Sequence, residues 1–228
     1  MRMMKEDGLL SAGPQGPSRR DCLPEEDLAV AMTRIATVAA GLLKEVRACT
    51  ACAATLPLGA RPILQLDPRA TILIAGQAPG SKVHASGVPF QDASGDRLRD
   101  WMGIDATRFY DANQIAILPM GFCYPGTGKS GDMAPRPECA AIWRARLVAT
   151  LVNVKLTLVI GQYAQARHFG ARRKSTLTET VRAWEDYWPA GLPLPHPSPR
   201  NNIWLRRNNW FETDVLPRLR RRVSELVH

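Results

Sequence analysis

Short β-branched runs with helical patterns between them constrain the fold of this chain most strongly. The runs are Thr71–Ala75, Ile115–Leu118 and Leu156–Ile160, and Leu192–His196 is a fourth candidate. The first three carry no charge, which is typical of strands that are buried on both faces. Strands that alternate with helices form a parallel sheet with helices on both sides. We therefore expect an α/β fold, a three-layer αβα sandwich around a central, mostly parallel four-stranded sheet.

Composition divides the chain into a tail and one domain. Residues 1–20 are rich in Gly, Pro, Ser and charge without an apolar period, which predicts a flexible N-terminal tail. The remainder, 21–228, is long enough for a single domain with one ordinary core. Apolar positions recur at helical spacing from Glu25 to near Cys49 and predict an amphipathic helix. A basic C-terminal helix is expected from about Trp210.

Charge and hydropathy limit the partners and the compartment. The longest apolar stretch lies within Ile35–Leu43, far short of the roughly 20 residues that a membrane-spanning helix needs. Lys5, Glu6 and Asp7 stand where a secretory signal is apolar, so we expect a cytoplasmic protein, and a monomer. The net charge of +9 favours a polyanionic partner, either nucleic acid or a membrane surface.

The cysteines suggest a metal site. Their number, five, is odd, and an odd number in a reducing compartment argues against a disulfide framework. Four of them form the pattern Cys49-x2-Cys52 followed by Cys123-x15-Cys139. Thiolates in a tetrahedral set select zinc or an iron–sulfur cluster. The alternative is that they are buried free thiols that pack as small apolar side chains.

Loops after the strands are the expected place for a ligand. In parallel sheets ligands collect at the carboxyl ends of the strands, which places Gly76–Gly80, Pro119–Gly128 and Gly161–Gln162 along one edge. Within this edge Gly126–Ser130 resembles a phosphate loop but lacks the first glycine of a Walker A sequence. We exclude nucleoside triphosphate binding there and expect a flexible surface loop, with Lys129 near a phosphate backbone.

Two motifs carry the candidate chemistry. The amides of Gly76-Gln-Ala-Pro-Gly80 suit an anion or the edge of a planar ligand, although a plain strand-to-helix turn has the same form. The segment His196–Asn202 sets an imidazole beside a proline-stiffened turn with a hydroxyl, a guanidinium and two amides. That combination suits a phosphate contact and one hydrogen bond into a pocket. The alternative is a structural histidine.

Together with Gly87-Val-Pro-Phe90, these two motifs resemble the uracil-DNA glycosylase superfamily, most closely its families four and five. The resemblance runs from about Glu45 to the C-terminal helix. It implies the glycosylase fold and a monofunctional DNA-repair enzyme that flips uracil, or another deaminated base, out of DNA and hydrolyses the N-glycosidic bond. It also implies a structural 4Fe-4S cluster, with zinc as the alternative, on Cys49, Cys52, Cys123 and Cys139.

The resemblance also implies roles for individual residues. His196 corresponds to the histidine that donates a hydrogen bond to the base as negative charge develops. The implied base-binding residues are Gly76, Gln77, Ala78, Pro79, Gly80 and the stacking Phe90. The implied DNA-backbone residues are Pro197, Ser198, Pro199, Arg200 and Asn201.

Two departures from the family pattern affect the expected chemistry and specificity, and the first concerns the catalytic carboxylate. Gln77 and Ala78 stand where families one and four have a carboxylate, and family five instead has an Asp-x-Ser-Gly-Asp stretch that matches Asp92-Ala-Ser-Gly-Asp96. We therefore expect Asp92 to stabilise an oxocarbenium-like sugar and orient the attacking water. Asp96 is the second candidate, unless it caps the following helix, and His84 is a further candidate participant.

The second departure affects specificity. Pro119 stands where the family has its uracil-reading asparagine, and Asn113 lies too early in the sequence to replace it. We therefore expect other deaminated bases, such as hypoxanthine or xanthine, to be accepted. The missing motif carboxylate also supports an alternative, a catalytically inactive glycosylase-fold module that binds damaged or single-stranded DNA. A third hypothesis is a metal-dependent regulator with redox-sensing cysteines.

Overall fold

The computed structural model describes residues 25–129 and 131–228. A four-stranded parallel sheet in the order β2-β1-β5-β6 forms its centre. Two short antiparallel strands make a separate hairpin. The strands are β1 (Ile72–Ala75), β2 (Ile115–Ile117), β3 (Thr127–Gly128), β4 (Gly131–Asp132), β5 (Leu156–Ile160) and β6 (Gly191–Leu194). The predicted α/β fold with a parallel four-stranded sheet is confirmed.

Helices cover both faces of this sheet. They are α1 (Glu25–Arg47), α2 (Ser81–Ser86), α3 (Ala93–Met102), α4 (Ala106–Phe109), α5 (Pro137–Cys139), α6 (Ala145–Val148), α7 (Gly161–Phe169), α8 (Leu177–Arg182), α9 (Asn202–Arg207) and α10 (Leu216–Leu226). Two π-helical segments, Ala140–Arg144 and Phe211–Val215, precede α6 and α10.

The strands are buried because their side chains alternate between two cores. Ile72 and Ile74 of β1 join a cluster with Leu98 of α3 and Leu219 of α10. Leu73, between them, joins a cluster on the other face that includes residues of α1 and α6. Successive side chains of a strand point to opposite faces, so a strand apolar at every position needs helices on both sides.

The fourth predicted strand is displaced from its expected position. It begins at Gly191 and ends at Leu194, so His196 lies two residues beyond it. Pro193 is tolerated because β6 is at the edge of the sheet, and Pro195 lacks the N–H needed to continue the ladder. This early end releases His196 into the loop at the carboxyl edge.

The predictions for the two ends of the chain have different outcomes. The predicted first helix is present as Glu25–Arg47. The C-terminal helix is preceded by a π-helical segment, and α10 itself begins at Leu216. The predicted tail over 1–20 lies outside the described residues, and the single domain over 21–228 stays a prediction. Along the ranges that the structure describes, no helix has the length and apolar character needed to cross a membrane.

Candidate active site

A cavity of about 560 Å³ opens at the carboxyl edge of the sheet. It is bounded by the loops that follow β1, β2 and β6, where a parallel sheet collects ligands. The residues of the sequence prediction that line it are Gly76, Gln77, Ala78, Pro79, Gly80, Phe90, Asp92, His196, Ser198, Pro199, Arg200 and Asn201. Pro197 is buried within the same turn and does not line the cavity.

The Phe90 ring forms one wall of the cavity through an unusual backbone conformation. Phe90 has φ 55°, in the left-handed region that non-glycine residues seldom adopt. Its carbonyl oxygen lies so close to α3 that a Cβ on Gly95 would approach it to 1.7 Å. Only glycine fits at that position, so the glycine of Asp92-Ala-Ser-Gly-Asp96 sets the position of the aromatic ring.

Asp92 is both a lining residue and the N-cap of α3. Its Oδ1 accepts hydrogen bonds from the backbone N–H groups of Ser94 and Gly95, each at 3.0 Å. An N-cap is the last extended residue before the helix, and Asp92 has the required φ of −158°. The alternative role considered for Asp96, as the cap of this helix, is therefore wrong. Asp96 lies within the helix with a 76% exposed side chain and pairs with Arg99 at 2.5 Å, outside the cavity.

His196 presents a hydrogen-bond donor to the cavity. Its Nδ1 accepts a hydrogen bond from the backbone N–H of Ser198 at 3.2 Å. The neutral ring therefore carries its proton on Nε2, an assignment that follows from this hydrogen bond. Burial lowers the pKa of His196, and the charges of Asp92 and Asp132 partly oppose that lowering. The imidazole is thus a neutral donor at neutral pH.

The turn after His196 is held by its own hydrogen bonds and by α3. Asn201 Nδ2 donates to the His196 carbonyl oxygen at 2.7 Å, and the Ser198 hydroxyl accepts from the Arg200 N–H at 3.3 Å. Arg97 of α3 donates to the Ser198 carbonyl oxygen at 3.0 Å. The helix capped by Asp92 therefore positions the turn that carries His196. Sequence reasoning missed Arg97, since nothing in the pattern indicated this long-range contact.

A second missed residue is Asp132. The segment Gly126–Ser130, predicted to be a flexible loop, contains β3, which pairs with β4 directly after it, and β4 brings Asp132 to the cavity. The Asp132 Oδ2 lies 3.5 Å from the place where a Cβ on Gly80 would stand. Lys129, expected near a phosphate, and His84, the further candidate participant, do not line the cavity.

The floor of the cavity lacks the asparagine of the family pattern. Pro119 lies there, and Asn113 is not among the lining residues. Among the described residues that line the cavity, only Gln77 and Asn201 carry an amide side chain. An amide that hydrogen-bonds a base edge in this cavity would therefore come from Gln77 or Asn201, which stand at other positions than the family's asparagine.

The four predicted metal-binding cysteines meet elsewhere. Cys49, Cys52, Cys123 and Cys139 line one small cavity of about 10 Å³. Two N–H groups point at their sulfurs, that of Phe122 at Cys139 Sγ and the indole N–H of Trp143 at Cys49 Sγ, both at 3.3 Å.

Burial gives these thiols an unusual chemistry. It raises the pKa of Cys123 to about 11 and that of Cys139 to about 12. Thiolates in such a place need a cation to compensate their charge, because burial alone keeps them protonated. Within residues 25–129 and 131–228, no three His, Cys, Asp or Glu side chains are grouped so as to hold a metal ion.

Comparison with protein families places this chain in a superfamily. A family model described as the Uracil DNA glycosylase superfamily matches residues 64–220, which is more than half of the chain. The match spans every predicted residue of the large cavity and two of the four cysteines, Cys123 and Cys139. Cys49 and Cys52 precede it.

Proposed function

This chain belongs to the Uracil DNA glycosylase superfamily, and we propose that it is a monofunctional glycosylase of base-excision repair. Its substrate is DNA that contains uracil or another deaminated base, and its products are the free base and an abasic site. The observation that supports this most is the shared cavity, which has a neutral imidazole donor, a carboxylate and an aromatic ring on its walls.

Substrate binding requires the damaged nucleotide to leave the DNA stack. A flipped base enters the cavity, where the Phe90 ring stacks on its face and the segment Gly76–Gly80 approaches its edge. Stacking of a base on an aromatic side chain is worth roughly 1 to 3 kcal/mol, which offsets part of the cost of unstacking. The turn from Pro197 to Asn201 contacts the DNA backbone beside the cavity.

The chemical step separates charge between the base and the sugar. As the bond between C1′ and the base breaks, its electron pair moves to the base, and the Nε2–H of His196 donates a hydrogen bond to the developing anion. The carboxylate of Asp92 stabilises the cationic sugar and orients a water molecule. The water oxygen bonds to C1′ and its proton is released, which leaves an abasic site. The departing base takes up a proton.

The floor of the cavity supports a broad choice of base. Pro119 offers no donor or acceptor side chain to a base edge, so the discrimination that an asparagine supplies is lost. We therefore propose that hypoxanthine and xanthine are excised besides uracil.

We further propose that Cys49, Cys52, Cys123 and Cys139 hold a 4Fe-4S cluster. A single zinc ion, with Zn–S bonds of about 2.3 Å, would draw the sulfurs closer together than a cluster of several ions does. The four thiols line one small cavity, and the resemblance to the family-four glycosylases favours a cluster over zinc there. When bound, the cluster supplies a structural link between the end of α1, the loop after β2 and α5.

Two alternative functions are supported to different degrees. A catalytically inactive module that binds damaged or single-stranded DNA is supported by the engagement of Asp92 Oδ1 in the cap of α3. A redox-sensing regulator is disfavoured, because sensor cysteines have lowered pKa values whereas burial raises those of Cys123 and Cys139.

One experiment separates glycosylase from binding module. The protein is incubated with oligonucleotides that contain uracil, hypoxanthine, xanthine or no damage, and abasic sites are revealed by cleavage in alkali. We expect cleavage of the damaged strands only. His196→Ala removes the donor to the base anion and is expected to slow excision by about 10² to 10³-fold with DNA binding kept. Asp92→Ala is expected to slow it as well.

The matched control is Asp96→Ala, which removes a carboxylate of the same helix outside the cavity and leaves excision unchanged. DNA binding without cleavage of any substrate would establish the inactive module. Full activity in Asp92→Ala would remove that residue from the mechanism.

A further inference from the structure

We propose that Asp132 is a second catalytic carboxylate, which takes the proton of the attacking water. This inference rests on the proposed glycosylase function and adds to it a residue outside the motifs of the resemblance. Asp132 belongs to the β3–β4 hairpin, which reaches the large cavity from the loop that follows β2.

The position of Asp132 places its carboxylate beside the base-binding segment. Its Oδ2 lies 3.5 Å from the place of a Cβ on Gly80, the last residue of the first motif. It lines the same cavity as His196 and Asp92, and its charge acts on the His196 imidazole in the same sense as that of Asp92. Two carboxylates thus share the site with the donor for the leaving base.

The two strands of the hairpin that carries Asp132 are paired with each other. Asp132 pairs with Thr127 in the antiparallel ladder, and the Met133 N–H donates to the Gly126 carbonyl oxygen at 2.8 Å. The hydroxyls of Tyr124 and Thr127 are 2.5 Å apart. These contacts fix the base of the hairpin, so its carboxylate has a defined position relative to the cavity.

Arg200 packs against the same hairpin. The Arg200 Nη1 lies 2.5 Å from the place where a Cβ on Gly131 would stand, so the guanidinium lies against β4. Arg200 lies in the turn proposed to contact the DNA backbone. The DNA strand that Arg200 holds would therefore pass next to Asp132.

The electrostatics of this place argue for a chemical role. A negative charge beside a phosphate-binding arginine weakens DNA binding, because it opposes the polyanion. Affinity for DNA therefore does not explain an aspartate there, whereas a reaction that creates a cationic sugar and deprotonates water does.

The two carboxylates are suited to different tasks. Asp92 Oδ1 accepts hydrogen bonds from two backbone N–H groups at the start of α3, so this oxygen is engaged in the helix cap. Asp132 is exposed at the cavity mouth, where water reaches it. Asp92 then acts mainly as a fixed negative charge, and Asp132 as the base.

The proposed step balances. After the C1′–N bond has broken and the base has taken the electron pair, a lone pair of the water oxygen forms the new C1′–O bond. One proton of that water moves to the Asp132 carboxylate, and from there to solvent or to the departing base anion. No further reactant is needed.

The test compares Asp132→Asn with Asp27→Asn, which makes the same charge change at an exposed position of α1 outside the cavity. Excision of uracil is measured under single-turnover conditions, and affinity is measured on the same oligonucleotide. Asp132→Asn is expected to slow excision at least about 100-fold while DNA binding is as tight as in the control or tighter. Added formate is expected to restore part of the rate of Asp132→Ala, because a small carboxylate can enter the open cavity.

Three outcomes would overturn the inference. The first is an Asp132→Asn rate within about threefold of the control. The second is a slow Asp132→Ala that formate does not rescue, which would assign Asp132 a structural role. The third is a loss confined to DNA affinity. If the wild-type protein excises no base, the glycosylase function fails and this inference fails with it, whereas an active wild type with an unaffected Asp132→Asn defeats the inference alone.

Discussion

The cavity of the base-binding motifs, called the base cavity, and the cavity of the four cysteines, called the cysteine cavity, differ in size, openness and charge. The base cavity, of about 560 Å³, is built from loops at the sheet edge, opens to solvent and gathers charged groups. The cysteine cavity, of about 10 Å³, lies against Val46, Phe122 and Trp143, and burial raises the pKa of Cys123 and Cys139 there. A site that admits a nucleotide and a water must be open, whereas a site that links chain segments is strongest where water is excluded.

The two regions are joined by the chain between Cys123 and Cys139. This segment carries the β3–β4 hairpin, so the cysteine cavity holds both ends of the element that brings Asp132 to the base cavity. A second link is Arg144, at the end of the π-helical segment after Cys139.

Arg144 supports the floor of the base cavity from beneath. Its buried guanidinium donates to the carbonyl oxygens of Leu118 at 2.8 Å and Pro119 at 3.2 Å, and it contacts His168 Nε2 at 2.5 Å. Burial lowers the pKa of Arg144 to about 10 and that of His168 to about 4, and in His168 the charge of Arg144 adds to the effect of burial. The neutral imidazole is therefore the acceptor in this pair.

The largest effect is expected from breaking the cysteine cavity. Cys139→Ser removes one proposed cluster ligand and should lower the free energy of unfolding by on the order of 5 kcal/mol, because metal binding contributes directly to folding. The measurements are iron content, visible absorption and thermal unfolding. In the milder control, Trp143→Phe, the N–H that points at Cys49 Sγ is lost together with part of a buried ring, at a cost of about 1 to 3 kcal/mol. Stoichiometric zinc in a colourless wild-type protein would overturn the iron–sulfur assignment.

The second-largest effect is expected from acid, which should weaken the contact between Arg144 and His168. The pKa of His168 is about 4 in the folded protein, below its ordinary value of 6.5, so the neutral side chain contributes its full stabilisation above pH 6.5. As the pH falls from 6.5 to about 4, the unfolded chain gains a proton there first. Stability should decrease by up to about 3 kcal/mol from this group. Denaturant unfolding measured across this pH range should show a smaller decrease in the free energy of unfolding for His168→Gln than for the wild type. An equal dependence of that free energy on pH in both proteins would contradict the lowered pKa of His168.

A third change tests the wall of the base cavity. Gly95→Ala places a Cβ against the Phe90 carbonyl oxygen, which must move and take the stacking ring with it. Single-turnover excision should slow by roughly 10-fold, in line with loss of one base–aromatic stack. The matched control is Gly41→Ala in α1, where nothing lies within 4 Å of the new Cβ. There a helix-interior glycine is replaced, and stability should rise by about 0.5 to 1 kcal/mol. Wild-type rates in Gly95→Ala would show that the ring does not depend on this glycine.

The smallest effect is expected at the mouth of the base cavity. Arg200→Ala should weaken binding of damaged and undamaged oligonucleotides alike, by roughly 3-fold to 10-fold, and reduce the dependence of log affinity on log salt by about 1. Binding titrations at several salt concentrations give both quantities. The control is Arg34→Ala on the exposed face of α1. A loss restricted to damaged DNA would instead place Arg200 among the base-reading residues.

Local sequence was sufficient where a residue's role depends on its neighbours along the chain. The apolar runs at Ile72, Ile115 and Leu156 predicted strands of a parallel sheet, since only burial on both faces suits residues that are apolar at every position. The loops after these strands were predicted to share an edge. The order of the motifs was enough to indicate the superfamily that the family comparison then confirmed.

Tertiary structure decided what depends on contacts between distant segments. The choice between Asp92 and Asp96 required the start of α3, because an N-cap is defined by backbone conformation. Asp132, Arg97 and the buried pair of Arg144 and His168 carry no local pattern, and their surroundings come from segments far apart in the chain. The sequence by itself determined which elements form and which edge binds a ligand, because those follow from local propensity and burial. Only folding decided which charged groups meet at that edge, because charge interactions depend on distance in space.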